Sequence, residues 1–597
     1  MRRVVCAAAL VPVLCAGCTG ETDRAPDAAR PPRAIVLVTV DGLISADLAL
    51  FGGSRETPAI AELARSGSAW ASAWTTVPMT RPAVATYLTG MAPDHHRVTD
   101  DLFTALPADV PTLATELTAA GYRTAAFPDS SFLGPSSGLL RGFEATADTP
   151  PIPVQPWRWL PYTRPSGDLM SEFEIWLATL ANGTKYFSWL HFSQPLNDAF
   201  AEFAHHPSLP ARAKAKRVPE SKIVGLANVD QAVGQIVQAL RARGDLESAL
   251  LIVAGTQGDP RGGDDEAPGA GLSLADRAIH VPVVLHLPDG RKAGRGASEA
   301  VWAPDVAATI AAAAGVRLGD GAEGISLADA VPADRVLLAW TWATRDQLGL
   351  APARVGGSGS AIVHEGPGIA GPAPAADPVA VERIAGMLRS RSWPAPPEIP
   401  LDRAREILAA RGLTFAPRLE SDAALDGPSR RRVAEILVAA RYLLKTNQRL
   451  PAMGALQAAF ELAPDAPAVR LDWGHFLVLI ASPEHGDAVQ VLRRGVELYA
   501  TNPEMLHWYA HAIWRESWKD AEKVLVDILP YKPEEGDVLY DLACTRSLAG
   551  DLDASVGYLR RAIEAGFRTW AVMETDTDLR ALRESGRFAE VLKEYRK

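Results

Sequence analysis

The first long apolar run after the leader, IVLVTV (Ile35–Val40), shows no polar alternation and ends at Asp41-Gly42. A β-branched run that is apolar on both faces predicts a strand inside a parallel sheet. Similar runs recur at Arg123–Phe127, Tyr186–His191, Ala249–Ala254 and Val281–Leu287. Amphipathic helical patterns separate them at Thr57–Arg65, Pro111–Ala120, Asp168–Leu180, Asn228–Arg241 and Pro304–Ala314. Strands alternating with helices predict a doubly wound, mostly parallel α/β sheet. Ligands in that architecture sit beyond the carboxyl ends of the strands. Chemistry is therefore expected at Asp41, after His191 and after Ala254.

The pattern changes twice further on. Between Gly366 and Pro400, GPGIAGPAPAADP and WPAPPEIP read as linker with a helical patch between them. After Pro428 helix pairs recur at about 34 residues, punctuated by ELAPDAP, ELYATNP and DILPYKP. This spacing resembles tetratricopeptide repeats from about Arg430 to Phe567, followed by a capping tail. The expected division is residues 34–365 for the α/β domain, 366–428 for the linker and 429–597 for an all-α repeat solenoid.

The N-terminus changes the expected location. Arg2 and Arg3 precede an apolar stretch from Val4 to Leu14, a signal-peptide pattern too short to span a bilayer. Cys15-Ala16-Gly17-Cys18 resembles a lipobox, which implies cleavage after residue 17 and a lipid on Cys18. Residues 18–33, rich in Ala, Pro, Asp and Arg, read as a disordered tether. The chain is thus expected to be an exported lipoprotein facing the periplasm or the cell exterior, anchored at the outer membrane. Of the four cysteines only Cys18 and Cys544 would survive cleavage, so no intrachain disulfide is expected. Cys544 lies on a helical pattern and reads as a core residue.

Composition narrows the function. The formal net charge of −11 excludes a nucleic-acid binder, which needs a concentrated basic surface. The most basic stretch, ARAKAKR (Ala211–Arg217), is interrupted by alanines and reads as solvated.

The segment Ala34–Leu327 resembles the sulfatases of the alkaline-phosphatase superfamily. The resemblance rests on TVDGL (Thr39–Leu43), the stretch Thr57–Val98 around VPMTRPAVATYLTG, and PTLATELTAAGYRTAAF (Pro111–Phe127). SGLLRGFE, VDQAVGQIVQAL, HVPVVL and PDVAATIAAAAGV follow in the family's order. It implies Asp41 as an acidic ligand of a divalent metal that neutralises sulfate or phosphate oxygens. The second acidic position is Gly42, and the family's Asp/His metal turn reads Thr256-Gln257. The nucleophile position, a Cys or Ser oxidised to formylglycine in the family, is Thr80, which cannot become that aldehyde. Val84 replaces an Arg or His, and Leu196 replaces the His of a D-P-H turn. Arg81 remains as a possible anion contact, helped by backbone N–H groups at the following helix start.

The resemblance therefore implies a vestigial site: an envelope-anchored, sulfatase-like pseudoenzyme or scaffold without a cofactor, its repeats binding a protein partner. The alternative is an active metal-dependent sulfuric or phosphoric ester hydrolase using Thr80 as nucleophile and calcium, magnesium or zinc. His191 reads as a hydrogen-bonded core residue, and the His95-His96 pair lacks metal-ligand spacing. Asp259, Asp264, Asp265 and Glu266 read as a solvated loop. In the repeats Trp473, Trp508, Tyr509, Trp514 and Trp518 read as packing residues, a subset of them available to line a groove.

Overall fold

The computed structural model describes residues 31–102, 104–149, 162–196, 209, 224–258, 271–288, 299–329, 331–332, 334–348, 352–358, 361–365, 377–393, 398–416, 427–480, 485–532 and 535–596. Cys18, the Ala211–Arg217 stretch, the cluster Asp259, Asp264, Asp265 and Glu266, and the GPGIAGPAPAA segment lie outside the described residues.

All eight residues of β1 (Ala34–Asp41) are buried, as a central parallel strand requires. Around it a seven-stranded sheet runs in the order β2 (Ser68–Trp74), β7 (His280–His286), β6 (Ala249–Gln257), β1, β5 (Tyr186–Phe192), β3 (Arg123–Pro128), β4 (Ala145–Thr146). β1 pairs in parallel with β5 and β6, and β3 in parallel with β5 and β4. β7 runs antiparallel to β6, and β2 antiparallel to β7. The sheet contains every run expected as a strand. β2 is not among those runs, because the two-fold pattern of SAWASAW is diluted by Ala and Ser.

Helices cover both faces. Ile35 and Leu37 join Val84 and Leu88 of α2 (Thr80–Thr89), Leu113 of α4 (Leu113–Ala119) and Ile310 of α8 (Pro304–Ala314). Val36 and Val38 join Ile60 of α1 (Pro58–Arg65), Phe173 of α5 (Ser166–Thr179) and Val233 of α6 (Val224–Arg243). A short α3 (Pro93–His96) and α7 (Asp276–Ile279) complete the helices of this part. Beyond it, β8 (Leu337–Thr341), β9 (Ala353–Ser358) and β10 (Ala361–Glu365) form a separate antiparallel sheet, with α9 (Ala343–Leu348) between β8 and β9. The linker stretch contains two packed helices. α10 (Pro378–Ser390) lies on β9 and β10, and α11 (Leu401–Ala409) buries Ile407 and Leu408 beside Trp508 and Val524.

The C-terminal region is helical throughout its described residues. α12 (Gly427–Lys445), α13 (Arg449–Leu462), α14 (Pro467–Leu479), α15 (His485–Tyr499), α16 (Pro503–Ile513), α17 (Trp518–Ile528), α18 (Gly536–Leu548) and α19 (Leu552–Glu564) each pack on the next, and α14 also packs on α16. Pro467 and Pro503 stand at the first helical position, where a missing N–H costs nothing. Asn502, Ser517 and Asp551 cap α16, α17 and α19 by accepting backbone N–H bonds. Three shorter helices close the chain: α20 (Trp570–Thr575), α21 (Arg580–Glu584) and α22 (Arg587–Tyr595). Among the described residues no helix is long and apolar enough to cross a membrane.

Residues 32–597 form one compact unit, and the reason is visible in its core. Met79, Leu196, Leu272 and Trp342 of the α/β part share one continuous apolar cluster with Val433, Ile436, Leu437 and Leu443 of α12 and Leu456 of α13. Buried Arg441 of α12 fastens the junction, donating to Asp472 Oδ2 at 2.7 Å and Gln347 Oε1 at 3.2 Å. Leu437, 1% exposed, lies in this shared cluster. Leu437→Ala is expected to lower the stability of the whole chain by about 2–5 kcal/mol. Chemical denaturation followed by circular dichroism measures this as a single shifted transition.

Candidate functional site

Four elements deliver side chains to one buried point at the carboxyl end of the sheet. β1 ends in Asp41, and a register shift between Val40 and Asp41 sets Asp41 opposite Gln257 of β6. Thr80 opens α2, and Ser193 directly follows β5. The hydroxyl of Thr80 donates to Asp41 Oδ2 at 2.7 Å, and that of Ser193 donates to the same oxygen at 3.0 Å. Thr256 donates to Oδ1. The Gln257 amide donates to Thr80 Oγ1 at 3.1 Å. Four of the positions singled out in the sequence, Asp41, Thr80, Thr256 and Gln257, therefore meet.

His191 is buried as expected, but it is also Asp41's charge partner. Its Nε2 lies 3.3 Å from Asp41 Oδ2 and 3.0 Å from Ser193 Oγ. Its Nδ1 meets Thr39 Oγ1 at 2.9 Å, and Trp189 Nε1 donates to that same oxygen. Burial pushes the Asp41 carboxyl up, but the His191 charge and hydrogen bonds from His191, Thr256 and Thr80 outweigh it and hold the pKa below the usual value. Burial pushes His191 down, and Asp41 more than reverses this, so its pKa is raised. The two form an ion pair out of contact with water.

Two further carboxylates surround the pair, neither of them anticipated from the sequence. Asp129, just past β3, accepts the Ser193 N–H at 2.8 Å, and its buried Oδ1 has no hydrogen-bond partner among the described residues. Asp101 accepts the Arg81 N–H at 2.6 Å. Burial raises Asp129 to about 6 and Asp101 to about 7, in each case helped by the negative charge of Asp41. Lys445 of α12 also feels the Asp129 charge; burial lowers its pKa to about 8. The signal that could have found Asp129 and Ser193 is position: each follows the end of a parallel strand.

The remaining positions do not open the site. Gly42 has φ +71°, and a Cβ there would lie 3.0 Å from the Leu196 backbone N, so a side chain at this position is strained and must push Leu196 aside. Leu196 is 1% exposed in the cluster shared with α12. Val84 is buried in the sheet core. Arg81, expected as an anion contact, is 1% exposed; its guanidinium donates to the carbonyls of Phe132 at 2.8 Å and Thr104 at 2.9 Å. His96 bonds Thr86 Oγ1 at 3.1 Å, and burial lowers its pKa to about 3.

Asp41 is thus ringed by hydroxyls, an amide and an imidazole, all fully buried. A hard divalent cation requires several oxygen ligands, mostly charged. Both Asp41 oxygens already accept hydrogen bonds, and the positions that would add carboxylates are Gly42 and Thr256. These residues do not fit the family's metal.

Residues 33–316 match the sulfatase family model and make up a sulfatase domain. A comparison with curated proteins finds no match. Among solved structures the chain is similar to the 2-O GAG sulfatase BT1596, at 17% identity and TM-score 0.43, covering 56% of this chain and 82% of that one. It is also similar to the phosphonate monoester hydrolase of Agrobacterium radiobacter (17%, TM-score 0.42, 56% and 87% covered) and to that of Silicibacter pomeroyi (16%, TM-score 0.42, 60% and 94% covered).

Asp129 supplies a pH test. A carboxyl whose folded pKa lies above its unfolded value binds its proton more tightly in the folded chain. It therefore weakens folding as the pH climbs from the ordinary aspartate value of 3.8 through about 6. Asp129→Asn removes this loss while keeping an acceptor for Ser193. Denaturation midpoints should show the variant gaining on the parent between pH 4 and 6, with a constant difference at higher pH.

Proposed function

We propose that this protein is a sulfatase-like pseudoenzyme: a scaffold held at the outer membrane by a lipid on Cys18, facing the periplasm or the cell exterior. In this reading the C-terminal helices are a tetratricopeptide-type solenoid that binds a protein partner. The observation that carries the reading is the state of Asp41. Its carboxylate is 0% exposed and saturated by Thr80, Thr256, Ser193 and His191. A nucleophile for ester hydrolysis needs a metal or base to ionise it and a neighbouring space for the substrate. Thr80 is also 0% exposed, and its hydroxyl donates to Asp41. The sulfatase mechanism needs an activated nucleophile and neutralised anionic oxygens together. Thr80, Gly42, Thr256, Gln257, Val84 and Leu196 remove groups that serve both.

The test is turnover of aryl sulfates and aryl phosphates with calcium, magnesium, manganese or zinc added. The expected rate stays at background. Metal-dependent turnover well above background that is lost in both Thr80→Ala and Asp41→Ala would establish the active-hydrolase alternative instead.

The anchor is tested separately. Cys18→Ala is expected to move the protein from the membrane fraction to the soluble fraction, since the acyl chains are the proposed attachment. Unchanged membrane association of that variant would refute lipidation as the anchor.

A further inference from the structure

Helix α16 carries two histidines one turn apart, His507 and His511, so both rings project from one face. Asp541 of α18 faces them. Each imidazole Nε2 lies 2.8 Å from the same oxygen, Asp541 Oδ2, and the three ligand atoms all fall within 4.8 Å of one another. We propose that His507, His511 and Asp541 bind a divalent transition-metal ion of the zinc class. This site is separate from the sulfatase domain's centre.

The donor set selects the metal. Two imidazole nitrogens and one carboxylate oxygen suit zinc and its neighbours rather than calcium or magnesium, which prefer oxygen alone. Three protein ligands leave a fourth position for water or a partner's side chain. His507 is fully buried and Asp541 nearly so, while the His511 side chain is 21% exposed and gives the ion a route in.

Charge points the same way. A buried carboxylate is costly unless a cation pairs with it. Among the described residues Asp541 has no Lys or Arg partner; its ionic and hydrogen-bond contacts are the two imidazoles. Lys532, the nearest cation acting on His507, is held by Glu504 at 2.6 Å. The other His–carboxylate trio, Asp94, His95 and Glu323, is different: the Arg391 guanidinium binds Glu323 and lies 3.4 Å from Asp94. That trio has its cation already.

The rings are also held in place. Trp508 stacks on His511 with centroids 4.6 Å apart and is fixed by its indole N–H, which donates to Glu504 at 2.7 Å. Metal binding needs the Nε2 lone pairs, so the ring protons must reside on Nδ1. In the metal-free arrangement each Nε2 proton is donated to Asp541 Oδ2, so the ion must displace it; Nδ1 of His507 has no hydrogen-bond partner among the described residues and is free to take that proton. It also means that His507 lacks the outer hydrogen bond that strengthens most histidine ligands, a loss of roughly 10–100-fold in affinity.

The test uses the full chain, purified without a polyhistidine tag and stripped with a chelator, with zinc ion as the probe in calorimetric titration. The expected result is one saturable zinc site and a higher thermal midpoint on loading. Asp541→Asn, which keeps the shape of the side chain, and His511→Ala, at the more exposed ring, should each weaken zinc binding at least about tenfold. Circular dichroism should show both still folded, and His95→Ala should bind as the parent does. Absence of saturable zinc binding overturns the proposal. So does binding that survives unchanged in folded Asp541→Asn and His511→Ala, or that is lost in His95→Ala instead.

Discussion

Asp41 lies at the end of the central strand with its charge taken fully out of water, and the surrounding architecture answers to that. Moving a carboxylate into a protein interior costs several kcal/mol, recovered only by close and well-aimed partners. Here three hydroxyls and one imidazolium converge on two oxygens. The same demand explains the next ring outward. Thr39 and Trp189 orient His191, and Asp129 fixes the backbone of Ser193. Burial makes Asp101 and Asp129 hold their protons more firmly, and the charge of Asp41 adds to this. Both Asp41 oxygens are satisfied from within this network, while Asp129 Oδ1 has no partner among the described residues.

The helical region takes part in this closure. In the open doubly wound plan the carboxyl ends of the strands are where a ligand enters. Here Met79, Leu196 and Leu272 from that side share a core with α12 and α13. Lys445, at the end of α12, comes near enough to Asp129 for their charges to interact. The helical region and the sulfatase domain are therefore joined through a shared core and the Arg441 hydrogen bonds.

The strands of the sheet were legible because central parallel strands are apolar on both faces, a pattern that survives without any alignment. Asp41, Thr80, Thr256 and Gln257 were legible because the family order assigns them to one place. Ser193 and Asp129 were not, because a comparison of family positions looks for what has been lost and passes over what replaces it. Helix α10 is the helical patch read between the two Pro-rich stretches, whereas α11 was obscured by the Pro-rich composition before it, although Ile407 and Leu408 are buried. His507 and His511 carried a readable i, i+4 spacing, but the neighbouring Trp508 and Tyr509 drew the segment toward a packing interpretation. Asp541 was unreadable in principle, since its approach to them depends on how α18 stacks on α16.

The backbone of Leu196 standing over Gly42 has an evolutionary consequence. A lost ligand can usually be regained by reversing one codon. At position 42 the reversal meets two obstacles, a left-handed φ of +71° and a neighbouring main chain that would have to give way by a few tenths of an ångström. An aspartate there would press on Leu196, whose side chain lies in the core shared with α12. Under the reading proposed above, an acidic side chain could be restored at position 42 only together with a shift of the chain at Leu196, so one substitution alone is not expected to rebuild a metal site.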